Sequence, residues 1–161
     1  MTRMVACAAL ALVCGVAHGA SLETESRAEA AYFTSAYDGA QFRLASFKCS
    51  APAFPAVSAS PDSARRVEKS LAAWRSCYAR FSAKLGAALP AGKVIPDDVA
   101  KAMTADDRNK AKALMEKVYA DIAAEGREQD DKVNAGAKTW AEATASRPKG
   151  SDPGSSVGGL T

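Results

Sequence analysis

Imidazole is nearly missing from this chain. Its 161 residues hold one histidine, His18, and four cysteines, Cys7, Cys14, Cys49 and Cys77. β-Branched runs are sparse, and beyond the first twenty residues no apolar stretch has the roughly 20 residues that span a bilayer. G-x-x-x-x-G-K-S/T and G-x-G-x-x-G are both absent, so the sequence offers no P-loop or dinucleotide fingerprint. An EF-hand loop is also missing its glycine and its twelfth-position glutamate. With 48% hydrophobic and 24% charged residues, the composition is that of one ordinary globular domain.

The first twenty residues read as a signal peptide. Arg3 supplies a positive start, residues 4–17 are uncharged and mostly apolar, and Ala17-His18-Gly19 places small residues at −3 and −1 of a cleavage site. Leu12-Val13 before Cys14 does not fit a lipidation site. The expected destination is the periplasm or the outside of the cell, with no transmembrane span.

Export removes His18, Cys7 and Cys14. A histidine base, a Ser-His-Asp triad and histidine ligation of zinc or haem go with them. Cys49 and Cys77 remain as an even pair in an oxidising compartment, and a single disulfide follows. Their separation of 28 positions is unlike the C-x-x-C of redox enzymes. No catalytic residue, cofactor or metal is expected, and an enzyme built on carboxylates, such as a hydrolase, is the least favoured class.

What remains is rich in Ala, Lys, Arg, Asp and Glu, which favours helix. A first helix is expected over residues 22–47, opened by Ser21 or by a capping box at Ser26-Arg27-Ala28-Glu29. It carries a stripe of Phe33, Tyr37, Ala40, Leu44 and Phe47 that Gly39 weakens. A linker holding Pro52 and Pro55 follows. Ser60 and Pro61 then open a second helix whose stripe is Ala64, Val67, Leu71, Trp74, Tyr78, Phe81 and Leu85, stopped near Pro90. Cys77 lies 16 residues into that helix, about 24 Å along its axis. The disulfide therefore requires the linker to climb back along the helix, with Phe54 and Val57 packed on it. A short helix starts at Pro96-Asp97-Asp98, with Val99 and Met103 apolar. Thr104 caps a last helix with stripes Leu114, Met115, Val118, Ile122 and Val133, Ala137, Trp140, Ala141. Gly126 is its potential break, and Trp140 is expected against Phe33 or Tyr37 of the first helix. The fold class is thus all-α: three long helices plus one short helix in an Ala-rich bundle, an extended Pro-containing linker between helices 1 and 2, and one disulfide. Residues 1–20 form the signal peptide, 21–146 the helical domain and 147–161 a Gly/Pro/Ser-rich flexible tail.

Charge is unevenly spread. Residues 43–93 carry nine basic and two acidic side chains, residues 94–131 ten acidic and six basic. The two sets are expected to attract one another inside the molecule. The sharper alternative is a basic patch for an anionic partner. Near-neutrality overall gives no case for nucleic acid. Asp97, Asp98, Asp106 and Asp107 suit helix starts, and Glu125, Glu128, Asp130 and Asp131 read as a solvated helix face.

Met103-Thr104-Ala105-Asp106-Asp107-Arg108, followed by Lys112-Ala113-Leu114-Met115, resembles the L-T-x-x-Q-R motif of small periplasmic stress chaperones of the Spy/CpxP type. Here Met stands for Leu and Asp107 for Gln, the similarity covers about a dozen residues, and a helix N-cap uses the same letters. The resemblance implies an all-helical, exported, non-enzymatic protein and carries over no functional residue. The leading expectation is a non-enzymatic holdase- or adaptor-like module that binds a protein, an unfolded client or envelope protein, or a hydrophobic surface. The alternative is an envelope-associated protein that meets anionic lipid or glycan through the basic second helix, which carries Arg65, Arg66, Lys69, Arg75, Arg80 and Lys84. Candidate interaction residues are Arg65, Arg66, Lys69, Arg75 and Trp140.

Overall fold

The computed structural model describes residues 17–147, with side chains placed from Thr24 onward. Most of the expected signal peptide, 1–16, and the tail from 148 lie outside them. Four α-helices are present: α1 (Ala17–Ser35), α2 (Pro61–Ala87), α3 (Asp97–Ala102) and α4 (Ala105–Ala145). Among the described residues there is no strand, and the architecture is all-α.

The first helix differs from the expected 22–47 at both ends. It begins at Ala17, so the expected cleavage point and Ser26 both fall inside α1, and no capping box forms at Ser26. It ends at Ser35 because Thr34 and Ser35 turn their hydroxyls back to the Ala31 carbonyl and Asp38-Gly39 makes a turn. The Asp38 carboxylate accepts from the Ala40 backbone N–H at 3.0 Å, and Gly39 has φ +62°, where a side chain is strained. Two short 3-10 turns, Ala40–Phe42 and Leu44–Phe47, replace the rest of the expected helix. The buried residues become Phe33, Tyr37, Phe42 and Leu44, while Ala40 is exposed.

α4 runs unbroken for 41 residues and is the spine on which everything else rests. Tyr37, Gly39 and Arg43 meet Tyr119, Ile122 and Glu125 in that order, so α1 and the turns after it run alongside α4 in the same direction. Phe81 and Trp74 of α2 meet Gly126 and Asp130, so α2 runs the opposite way. Gly126 is not a break. A Cβ at that position would lie 2.5 Å from Phe81 Cε1, so glycine is what lets the phenyl ring seat directly on the helix backbone. Gly136 does the same for Phe54, 2.7 Å from Cδ2.

Cys49 and Cys77 are joined, with Cα atoms 5.6 Å apart. Because Ser60 caps α2, the linker between them covers the climb of about 24 Å that the sequence requires. Its partner differs from expectation, however. Phe54 packs on α4 rather than on α2, its ring 6.4 Å from that of Trp140, and Val57 is 41% exposed. Trp140 is therefore not beside Phe33 or Tyr37. Those residues lie at the level of Tyr119, about 32 Å up the helix from Trp140. Trp140 Nε1 instead donates to the buried Ser58 hydroxyl at 3.0 Å, and the Ser58 backbone N–H donates to Thr144. The Arg147 guanidinium closes this end by donating to the carbonyls of Ser58 and Ala59.

The helix starts follow the local chemistry. Ser60 and Ser63 form a reciprocal capping box at α2, and Pro61 occupies the first turn. Thr104 and Asp107 do the same at α4. Arg108 then donates to the carbonyls of Ala100 and Met103, tying the last turn of α3 to the start of α4. The stretch that resembles the stress-chaperone motif is, in this chain, the α3–α4 junction. Val99 and Met103 are buried there as expected, and Val94 and Ile95 are half-buried.

Two measurements test this packing. Replacing Cys49 and Cys77 by Ser should lower stability by roughly 3–4 kcal/mol, since a loop of this size is no longer closed in the unfolded chain. Gly126→Ala should destabilise by about 1–3 kcal/mol through overpacking against Phe81, despite the helix propensity gain of about 1 kcal/mol. Urea midpoints check both, and a stabilised Gly126→Ala protein would refute the close seat.

Candidate functional site

The deepest polar contact lies where α1 ends. The hydroxyls of Tyr37 and Tyr119, both 3% exposed, share a 2.9 Å hydrogen bond. Gln41 Nε2 donates to the Tyr37 oxygen at 3.5 Å. Tyr119 also meets Phe42 edge to face, with ring centroids 5.4 Å apart. Burial pushes the Tyr37 hydroxyl well above the usual phenol range, and the neighbouring Tyr119 adds to it. Tyr119 is raised as well, mainly by burial. Both hydroxyls stay protonated at neutral pH and serve as a polar pin between α1 and α4. Sequence reading passed over Tyr119, since it sits one position beyond the stripe residue Val118. The neighbouring Met115 and Ile122, at i−4 and i+3, were the available signal.

The acids fall into capping and pairing roles. Thr104 hydrogen bonds hold the Asp107 carboxyl below its ordinary pKa, and Asp106 holds the Lys110 ammonium above its own. Lys132 lowers Glu128 in the same way. Asp130 accepts from Trp74 Nε1 at 3.1 Å and from Asn134, so part of the expected solvated face turns toward α2. No cluster of three or more metal-ligating side chains occurs among the described residues. A shallow cavity of about 230 Å³ lies beside the disulfide, bounded by Cys49, Trp74, Glu125 and Gln129 among others. Arg43 pairs with Glu125 at its edge, at 3.0 Å.

The basic residues of α2 do not pair with α4. Among the described residues, Arg43–Glu125 is the one ion pair that joins the basic segment 43–93 to the acidic segment 94–131. The expected attraction between the two segments is thus realised once. Arg65 pairs locally with Asp62 at 3.2 Å. Arg66, Lys69, Arg75 and Arg80 are exposed and make no ion pair with any described residue. Lys84 lies over the rings of Phe42 and Phe47, 5.8 and 5.5 Å from their centroids. Of the candidate interaction residues, Arg65, Arg66 and Lys69 cluster at the start of α2, and Arg75 stands two turns further along. Trp140 does not join them at the surface. It is 7% exposed, with its ring nitrogen committed to Ser58.

Arg66, Lys69, Arg80 and Lys84 fall within about 60° of arc at 100° per residue and extend over about 27 Å. Exposed Ala73 lies between them within that arc, and Ser76 and Ala83, also exposed, border it, so the row is smooth as well as cationic. Sequence reading placed all four on the basic helix but could not tell which were neutralised, because that depends on where α4 places its acids. No helix among the described residues is long and apolar enough to cross a membrane. No family model, no curated protein and no solved structure matches this chain.

The tyrosine pin has a pH signature. In the unfolded chain each phenol ionises near pH 10, whereas the fold holds it protonated to higher pH. Its contribution is present below about pH 10 and is lost as pH rises above it, by up to about 1.4 kcal/mol per pH unit for each phenol. Urea midpoints followed from pH 8 to 11, about the phenol range, should fall, and Tyr37→Phe should flatten the slope. An identical slope in the variant would contradict the assignment.

Proposed function

We propose that this chain is an exported, non-enzymatic helical module that settles on an anionic bilayer through the outer face of α2. The observation that carries this reading is the row of exposed cations, Arg66, Lys69 and Arg80, left without ion-pair partners on a 27-residue helix. α2 is held rigidly by its Ser60–Ser63 cap, its disulfide and the Phe81 seat on Gly126, so the cations form a fixed array. Small side chains between them permit close approach to a flat surface. With no large apolar residue on that face, attachment is electrostatic and does not involve insertion. Each cation near an anionic leaflet contributes about 1 kcal/mol. The exported location rests on the leader-like residues 1–20, the disulfide being compatible with it.

The protein-binding reading keeps separate support from a groove between α1 and the start of α3. A broad apolar holdase face has less behind it. Among the described residues the exposed large hydrophobic side chains are Tyr32, Val57 and Leu89, on three separate elements.

Vesicle co-sedimentation tests the membrane reading. Binding to vesicles of mixed phosphatidylglycerol and phosphatidylcholine is expected at low ionic strength and should vanish at about 0.5 M salt. Arg66→Gln, Lys69→Gln and Arg80→Gln together should weaken it by about a hundredfold, at about 1 kcal/mol per cation. Equal binding to purely phosphatidylcholine vesicles, or an unaffected triple variant, would overturn the proposal. Retention on an acidic glycan in place of lipid would move the partner to the other anionic class.

A further inference from the structure

An open groove of about 520 Å³ lies where α1 faces the start of α3, lined by Glu25, Ala28, Glu29, Tyr32, Phe33 and Pro96. Its floor is apolar, made by Ala28, Phe33, Pro96 and the ring of Tyr32. That ring is 40% exposed yet fixed in place. The Tyr32 hydroxyl donates to Asp38 at 3.4 Å, and the ring meets Phe33 and Tyr37 edge-on, with centroids 5.3 and 5.8 Å away. Glu25 and Glu29 stand one turn apart on the same edge. Neither makes an ion pair with a described residue. Among the described residues no Lys or Arg lines the groove. Arg27 projects from the far side of α1, about 160–200° round from the two glutamates, and Asp97 and Asp98 follow Pro96. The groove therefore combines an apolar floor, an exposed aromatic face and an uncompensated acidic rim.

We propose that this groove binds a segment of another polypeptide in which an apolar side chain neighbours a lysine or arginine. The apolar side chain is buried against Ala28, Phe33 and Pro96. The cation meets the carboxylates of Glu25 and Glu29 and the face of Tyr32, where ring and charge attract. An open groove covers one side of its ligand, which suits an extended peptide better than a small molecule that a pocket must enclose. The site is independent of the α2 face. With cations on α2 and carboxylates on α1, the molecule can hold an anionic surface and a cationic segment at once.

The test uses the whole disulfide-bonded protein without vesicles, so its outcome does not depend on the membrane reading. Titration with a short fluorescent peptide of repeated Leu-Lys-Ser should show saturable binding. Repeated Leu-Glu-Ser and Gly-Lys-Ser peptides should bind at least about tenfold more weakly, since they lack the charge or the apolar group. Glu25→Gln with Glu29→Gln should weaken the Leu-Lys-Ser peptide about tenfold or more. Glu25→Lys with Glu29→Lys should exchange preference toward Leu-Glu-Ser, which a loss of folding would not produce. Unchanged affinity in the Gln variant, or equal binding of the three peptides, would overturn the proposal. Self-association of the protein that the Lys variant abolishes would assign the groove to a second copy instead.

Discussion

A phenyl ring lying on a glycine holds the two longest helices together. Phe81 can reach the backbone of α4 only because residue 126 has no Cβ. The consequence extends beyond one contact. With α2 drawn in at that level, Trp74 comes within hydrogen-bonding distance of Asp130, and Cys77 faces the segment that carries Cys49. The same device recurs where Phe54 lies on Gly136, and in inverted form where Gly39 fits between Val118 and Ile122. An Ala-rich chain with few large side chains gains density by letting backbone and ring touch. Three glycine seats spaced along or against one unbroken helix give the bundle its register.

The disulfide then converts a long linker into part of the fold. Residues 50–59 contain two prolines and form no helix, so alone they would contribute little order. Pinned at Cys77 and capped at Ser60, they are stretched past the second half of α4. Phe54 and Ser58 there cover Trp140, and no buried side-chain nitrogen or oxygen among the described residues is left without a hydrogen-bond partner. The tyrosine pin at the other end completes the same accounting, since each buried hydroxyl satisfies the other.

Charge follows from this arrangement. α4 presents its acids mainly to neighbours on its own surface: Asp106 to Lys110, Glu116 to Lys112 and Glu128 to Lys132. The bases of α2 point the other way, because the apolar stripe from Val67 to Leu85 faces the core. Opposite net charges in two segments of a sequence thus need not neutralise each other. They end on outward faces, the bases on α2 and the acids on α3 and along α4.

How much could be read in advance varied with the range of the interaction. Caps, helix stripes and the lone cysteine pair are local or exclusive signals, so α2, α3 and α4 and their starts at Ser60, Pro96 and Thr104 were legible in the sequence. The end of α1 was legible in principle, because Asp38-Gly39 is a turn dipeptide. The apolar spacing from Phe33 to Phe47 masked it, since Leu44 and Phe47 also turn inward from the second 3-10 turn although no helix connects them to Phe33. Partners across the bundle were not legible. Whether Gly126 breaks a helix or seats a ring, whether Trp140 meets Phe33 or Ser58, and which cations are left unpaired all depend on the relative direction and level of helices. Composition and spacing determined that this chain forms amphipathic helices closed by one disulfide. Only the tertiary structure decided which faces meet, because helix direction and register come from contacts between residues more than eighty positions apart in the chain, such as Tyr37 with Tyr119 and Ser58 with Trp140.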